Sequence, residues 1–378
     1  MFGSTPARNA VTASDTISYQ LATEQHQSQV TGDDDDMGIQ YWVGAYSPDG
    51  GGTGQGIVAI EYRDGKLFDL GLAHSAESPS WITAHPSLPV VYAALEHRGE
   101  IAAYRVISSN KLEPLGAPVP AGELLCHLAL DNTGGILIAS CYGDGKVLAY
   151  PINADGSLET PYVAEASEDP FVRAGHDPRA SRSHQSTTLS TGRIITTDLG
   201  HDSLRVWELK DGKLELRQRI ILHKGDGPRH LVEHPSGRLH VVTEHSVQII
   251  TLTPNPDGDY VVCARTGLGD AFIAGEHYPS EISLDARANR LYVGVRGAGQ
   301  IAVLEIGEDG TPAPEGAESC LGTWPRHHVQ SGQTLLVANQ LSNTIEAIGL
   351  NAADGLPDTP LSLLEIESPT CLAAQVTR

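Results

Sequence analysis

The chain has 378 residues and sets 25 Lys and Arg against 47 Asp and Glu, a formal charge of −22. Phosphate recognition needs clustered cations, so this balance excludes nucleic acid as the main partner and argues against attraction to anionic membranes. Forty glycines, 23 prolines and only short apolar runs exclude a helical bundle and point to many strands joined by many turns.

Residues 1–36 are polar and end in the run Asp33–Asp36. Such a segment buries too little apolar surface to offset its ordering entropy, so a disordered tail is expected, followed by one domain over 37–378. The N-terminus lacks the charged start and apolar middle of a signal peptide, and no apolar run approaches the ~20 residues of a membrane span. The five cysteines (126, 141, 263, 320, 371) are scattered, odd in number and never in CxxC spacing. That pattern suggests free thiols in a reducing compartment, hence a cytoplasmic protein, rather than disulfides or a zinc site.

From residue 40 one pattern recurs: an apolar strand, a turn, a second strand, a turn, a third strand, a DG-type turn and a weaker fourth strand. The copy starting at Trp81 is clearest. Aligning first strands brings Trp81, Cys126, Gln185, His230, Glu281, His327 and Cys371 into register, separated by 45, 59, 45, 51, 46 and 44 residues. A four-stranded propeller blade needs roughly 40–50 residues. There are six complete copies and two fragments. PTCLAAQVTR (369–378) matches a first strand only, and the stretch from Tyr41 to about Leu70 supplies the other three. A seventh blade made from both ends would remove the exposed sheet edges. The expected fold is therefore an all-β, seven-bladed propeller whose ring is closed by the C-terminal strand. A pair of β-sandwiches and an eight-bladed ring are the alternatives.

In a propeller the first strands line the central channel, and their starts share a face with the ends of the second strands. Just before the aligned positions stand Ser80, Leu125, His184, Arg229, Ser280, Arg326 and Thr370. Near the second-strand ends stand Tyr46, Glu96, Tyr142, Asp198, Glu244, Arg296 and Gln340. Together with the aligned residues this set gathers arginines, histidines and carboxylates from distant parts of the chain. Arginine suits fork-like binding of carboxylate or phosphate, and His and Glu suit proton transfer near neutral pH. Each residue also has a plainer reading. Arg229 and Arg326, in GPRH and WPRH, could brace neighbouring blades, Glu244 could neutralise Arg229, and His230 and His327 could pack. The ring histidines have no local metal-ligand spacing. His85 and His234, in two HPS turns, fall on the opposite face as turn residues, and no GxSxG elbow offers a serine nucleophile.

These segments resemble the lactonase family that includes the propeller-type 6-phosphogluconolactonases and the carboxymuconate cyclases. The likeness covers 40–378 and rests on SHQSTTLSTGRIITTDLGHDSLRVWEL (183–209), GPRHLVEHPSGRLHVVTE (227–244), SEISLDARANRLYVGVRG (280–297) and WPRHHVQSGQTLLVANQLSNTI (324–345). It implies seven blades, no metal or other cofactor, and a site built from His184, Arg229, Glu244 and Arg296, with Arg326 as a further anion contact. Where the family often carries PHxH, this chain has SRSH (181–184), so that Arg182 replaces a histidine, and the turn after Glu244 is short. The expectation is a hydrolase for a small anionic sugar lactone such as 6-phosphogluconolactone, monomeric or weakly self-associating. In it His184, Glu244 and Arg229 act on the lactone, while Arg296, Arg326, His230, His327 and Arg182 bind it. A lactonizing cyclase and a non-catalytic binding scaffold are the alternatives. The loop 161–182 is expected on the funnel face, as a lid or as decoration.

Overall fold

A computed structural model describes residues 38–173, 175 and 177–376. The acidic tail and Met37 lie outside the described residues. Seven antiparallel sheets of four or more strands form the ring. Their inner strands are Pro79–Ala84 (blade 2), Leu125–Leu130 (blade 3), Ser183–Thr188 (blade 4), Pro228–Glu233 (blade 5), Tyr278–Leu284 (blade 6), Pro325–Ser331 (blade 7) and Pro369–Ala374 (blade 1). Blade 1 is the composite one: Pro369–Ala374 pairs with Ile39–Ala45, which continues into Gly56–Arg63 and Lys66–Ser75. The closing register sets Tyr41 opposite Ala374 and Val43 opposite Leu372, so both ends of the chain belong to one sheet.

Burial follows each strand's distance from the ring axis. Second strands such as Val90–Leu95 and Thr334–Asn339 are buried at every position, because both faces of the blade meet a neighbouring blade there. Outer strands such as Lys213–Ile221 alternate between buried and exposed residues. Seven apolar clusters result, one for each interface between adjacent blades, for example Trp42, Ile57 and Ala59 of blade 1 against Ile82, Val91 and Ala93 of blade 2. Among the described residues no helix is long and apolar enough to cross a membrane.

His85 and His234 do more than shape their turns. His85 Nδ1 accepts from the Ser87 and Leu88 N–H groups, and its Nε2 lies 2.9 Å from the Gly134 carbonyl of blade 3. His234 repeats the device, with Nε2 2.8 Å from the Ala288 carbonyl of blade 6. Each imidazole ties one turn to that of the next blade. Replacing His85 by Ala, which strands a buried carbonyl and two N–H groups, is expected to cost about 1–3 kcal/mol, read as a lower urea midpoint with an unchanged denaturant slope.

Candidate active site

One irregularity recurs at the top of every inner strand. Pro79 pairs with Leu95 and Trp81 with Ala94, leaving Ser80 unpaired. The same two-against-one register leaves out Cys126, Arg229, Arg326 and Thr370. In blade 4 it falls at His184 and Gln185, and in blade 6 at Ser280 and Glu281. A β-bulge breaks strict alternation and re-aims the extra side chain. Six of the seven blades thereby send a bulge residue to one axial pocket, lined by Ser80, Cys126, His184, Arg229, Arg326 and Thr370 together with Trp81 and His230. Without the bulge, Arg229 and His230 would point to opposite faces of their strand.

The residue before the inner strand carries strain in several blades. Ser78, Leu124, Gly227, Trp324 and Ser368 all have positive φ, and Trp324, at 66°, is the bulkiest of them. Its conformation brings the indole under the Arg296 guanidinium, 5.5 Å from the ring centre. Trp324 was not among the residues singled out above, although its position next to Pro325 and Arg326 was visible.

Three ion clusters surround the pocket. Glu244 Oε2 lies 2.6 Å from Arg296 Nη2 and 3.3 Å from Arg229 Nε, so one carboxylate bridges two guanidinium groups. Arg296 also donates to the Tyr278 and Pro279 carbonyls, which fixes its plane. Arg326 donates to the Tyr46 hydroxyl at 2.6 Å, and Tyr46 donates to Glu96. Glu281 accepts from His230 Nδ1 at 2.8 Å and lies 3.6 Å from His327 Nε2, whose ring Nδ1 accepts from the Leu372 N–H. Among the buried atoms of the pocket lining, Ser80 Oγ, His184 Nδ1, Arg229 Nη1 and Thr370 Oγ1 have no hydrogen-bond partner, and Arg229 Nε has only its ion-pair contact with Glu244.

Burial and charge together set the protonation states. Burial pushes the Glu244 carboxyl up, but Arg296 and Arg229 outweigh it and hold it below the usual carboxylate range. Burial, then Arg296, brings Arg229 down to about 9, which still leaves it charged at neutral pH. Burial, then Arg229, His230 and Arg326, drives His184 well below 6.5. Burial and Arg229 do the same to His230. The pocket therefore sets an uncharged imidazole beside fixed cations.

The remaining expected residues are placed as follows. Arg182 Nη1 donates to the Tyr142 and Gly143 carbonyls, and its guanidinium stacks over Tyr142, so its cation is engaged by blade 3 and it is not among the residues that line the pocket. His327 stands with Glu281 and against Trp81, and is not among the residues that line the pocket. No hydrogen bond joins Glu244 to His184 among the described residues. Asp198 accepts from Ser181 Oγ, the Arg182 N–H and the His201 N–H, and so anchors the strand start rather than opening to the pocket. The loop that ends at Arg182 is clamped: Arg179 bridges Asp169 and Asp202, and Ser167 bonds His201. These contacts tie the described part of the loop to the turn at His201 and Asp202 of blade 4.

Two outcomes follow. Glu244→Gln leaves two buried guanidinium groups facing each other and is expected to cost about 3 kcal/mol in urea unfolding. Burial also holds His240, His327 and His328 near 4, against an ordinary 6.5. The unfolded chain then binds protons near pH 6.5 that the folded chain refuses until about pH 4. Stability is fully present above 6.5 and falls as the pH drops towards 4, by up to about 1.4 kcal/mol per pH unit for each imidazole. Urea midpoints measured from pH 7 to pH 4.5 check the sign.

A family model described as Lactonase, 7-bladed beta-propeller matches residues 40–374. The 6-phosphogluconolactonase of Bacillus subtilis (strain 168) is 29% identical over 300 residues, 76% of this chain and 84% of that protein. The 6-phosphogluconolactonase of Pectobacterium atrosepticum is 25% identical over 304 residues, 77% of this chain and 87% of that protein. Among solved structures, the periplasmic gluconolactonase of Pseudomonas aeruginosa shares the fold with a TM-score of 0.80 at 22% identity, covering 90% of this chain and 100% of that one. The chain therefore belongs to the seven-bladed β-propeller lactonase family.

Proposed function

We propose that the protein hydrolyses a small anionic sugar lactone, 6-phosphogluconolactone or a close analogue, at the axial pocket. One observation carries the reading: a buried guanidinium nitrogen without a partner, Arg229 Nη1, shares the pocket with an imidazole held neutral, His184. A neutral imidazole can take a proton from water, and an unpartnered donor can meet a developing oxyanion. The named relatives support the reaction class, and their names together with the arginines favour a phosphorylated substrate.

In the proposed sequence, water held at His184 adds to the lactone carbonyl carbon and its proton passes to the imidazole. Arg229 stabilises the tetrahedral oxyanion. The ring C–O bond then breaks, and the departing ring oxygen takes the proton back, giving the open hydroxy acid and neutral His184. The lining side chains leave room for about one water-sized group rather than a sugar, so the lactone ring lies above it in the funnel. Arg296 and Arg326 hold the anionic group, and Glu244 aligns Arg229 with Arg296. Local cations are required because the whole chain carries −22. The five cysteines are all unpaired in the structure, which fits our placement of the reaction in a reducing cytoplasm.

Turnover of a panel of phosphorylated and plain sugar lactones tests the proposal. His184→Ala is expected to lower kcat by about 10²–10⁴-fold, and Arg229→Ala by about 10²–10³-fold. Arg296→Ala is expected to act mainly on KM for the phosphorylated lactone. The rate should rise with pH through an apparent pKa below 6.5 and then stay level up to neutrality. Hydrolysis unchanged in His184→Ala, or absent across the panel, overturns the reading.

A further inference from the structure

Trp81 occupies a position that the proposed chemistry does not use. It belongs to blade 2, yet its indole lies against His127 of blade 3, His230 of blade 5 and His327 of blade 7, at ring-centre distances of 4.2, 5.6 and 5.3 Å. Blades 2 and 5 stand nearly opposite each other in a ring of seven, so a side chain that reaches from one to the other spans the channel. Nε1 donates to the Leu128 carbonyl at 3.1 Å, which fixes the plane of the ring. The indole also lines the axial pocket. Counted from the bulges, the equivalent positions in blades 1, 3, 4 and 6 hold Cys371, His127, Gln185 and Glu281, all smaller than an indole.

We infer that Trp81 is a specificity-determining residue: it closes the channel beneath the pocket and limits the bulk a lactone can carry on the carbon next to its carbonyl. The inference rests on the lactone reading above. Water at His184 can reach the carbonyl carbon only if that carbon is the deepest part of the bound ring. In this pose the anionic group points towards Arg296, whose guanidinium lies over Trp324. The neighbouring ring carbon and its substituent then face the indole. A hydroxyl group fits there, and a larger group meets a flat aromatic surface held by three imidazoles and a hydrogen bond. Because aromatic packing of this kind resists displacement, the limit is a hard one.

Two lactones that differ at this carbon test it, glucono-1,5-lactone and 2-acetamido-2-deoxyglucono-1,5-lactone. The wild-type chain is expected to favour the first strongly. Trp81→Ala should shift the ratio of kcat/KM towards the acetamido compound by at least about tenfold, and Trp81→Phe by much less. Thermal unfolding of both variants shows whether each is folded, and the Phe variant keeps the comparison open if the Ala variant is not. An equal loss for both lactones, with no change of ratio, assigns Trp81 a structural role only and overturns the inference.

A second measurement needs no turnover. Protein labelled with 5-fluorotryptophan has four sites, and the 19F resonance missing in Trp81→Phe identifies Trp81. Gluconate should shift that resonance, and 2-acetamido-2-deoxygluconate should fail to shift it at the same concentration. If no lactone is hydrolysed but gluconate moves the resonance, the hydrolase reading falls while the floor stands. If lactones are hydrolysed but neither the resonance nor the ratio responds, the floor falls alone. Absence of both hydrolysis and resonance shift removes both.

Discussion

A strand obeying strict alternation can show the channel only every second residue. At the top of each inner strand this chain inserts one residue more than its neighbour can pair with, and it does so in all seven blades. The surplus residue turns towards the axis while the ladder below it stays intact. Adjacent residues such as Arg229 and His230 can then both border the same pocket. The chemistry assigned to the site depends on this arrangement, because the arginines and imidazoles come from different blades and meet only where the bulges point.

Gathering cations in the interior of an acidic protein has an electrostatic cost, and the clusters show how it is met. Glu244 bridges Arg229 and Arg296, Tyr46 passes the Glu96 charge on to Arg326, and Glu281 serves His230. One carboxylate between two arginines leaves the Glu244 cluster with a surplus of positive charge, and that surplus is what an anionic substrate would meet. Burial first, and then the same field, keeps His184 and His230 unprotonated, since a proton on either would add a further buried cation beside Arg229. The charge arrangement that would attract a substrate thus also reinforces the neutral state that burial gives the base.

The ring holds this arrangement in place because no blade stands alone. Each interface between blades has its own apolar cluster, and the turns on the far face are tied across blades by His85 and His234. The composite blade joins the two ends of the chain, so a displacement at one end must pass through the whole ring. Rigid support of this kind keeps side chains from six blades around one pocket.

The amino-acid sequence by itself determined the all-β class, the repeat spacing, the six-plus-two count and the closure of the ring, since strand periodicity and turn residues act locally and recur visibly. It also picked out His184, Arg229, Glu244, Arg296 and Arg326, because charged residues at strand starts stand out against apolar neighbours. Tertiary structure decided what those residues touch. That Glu244 belongs to two arginines, that Asp198 anchors a strand start, that Arg182 lies on backbone carbonyls and that Trp81 crosses the channel are all contacts between segments about 15 to 250 residues apart. A bulge depends on the pairing of two strands and an ion cluster on the meeting of several blades. Neither quantity exists along a single strand, and so neither could be read before the ring was closed.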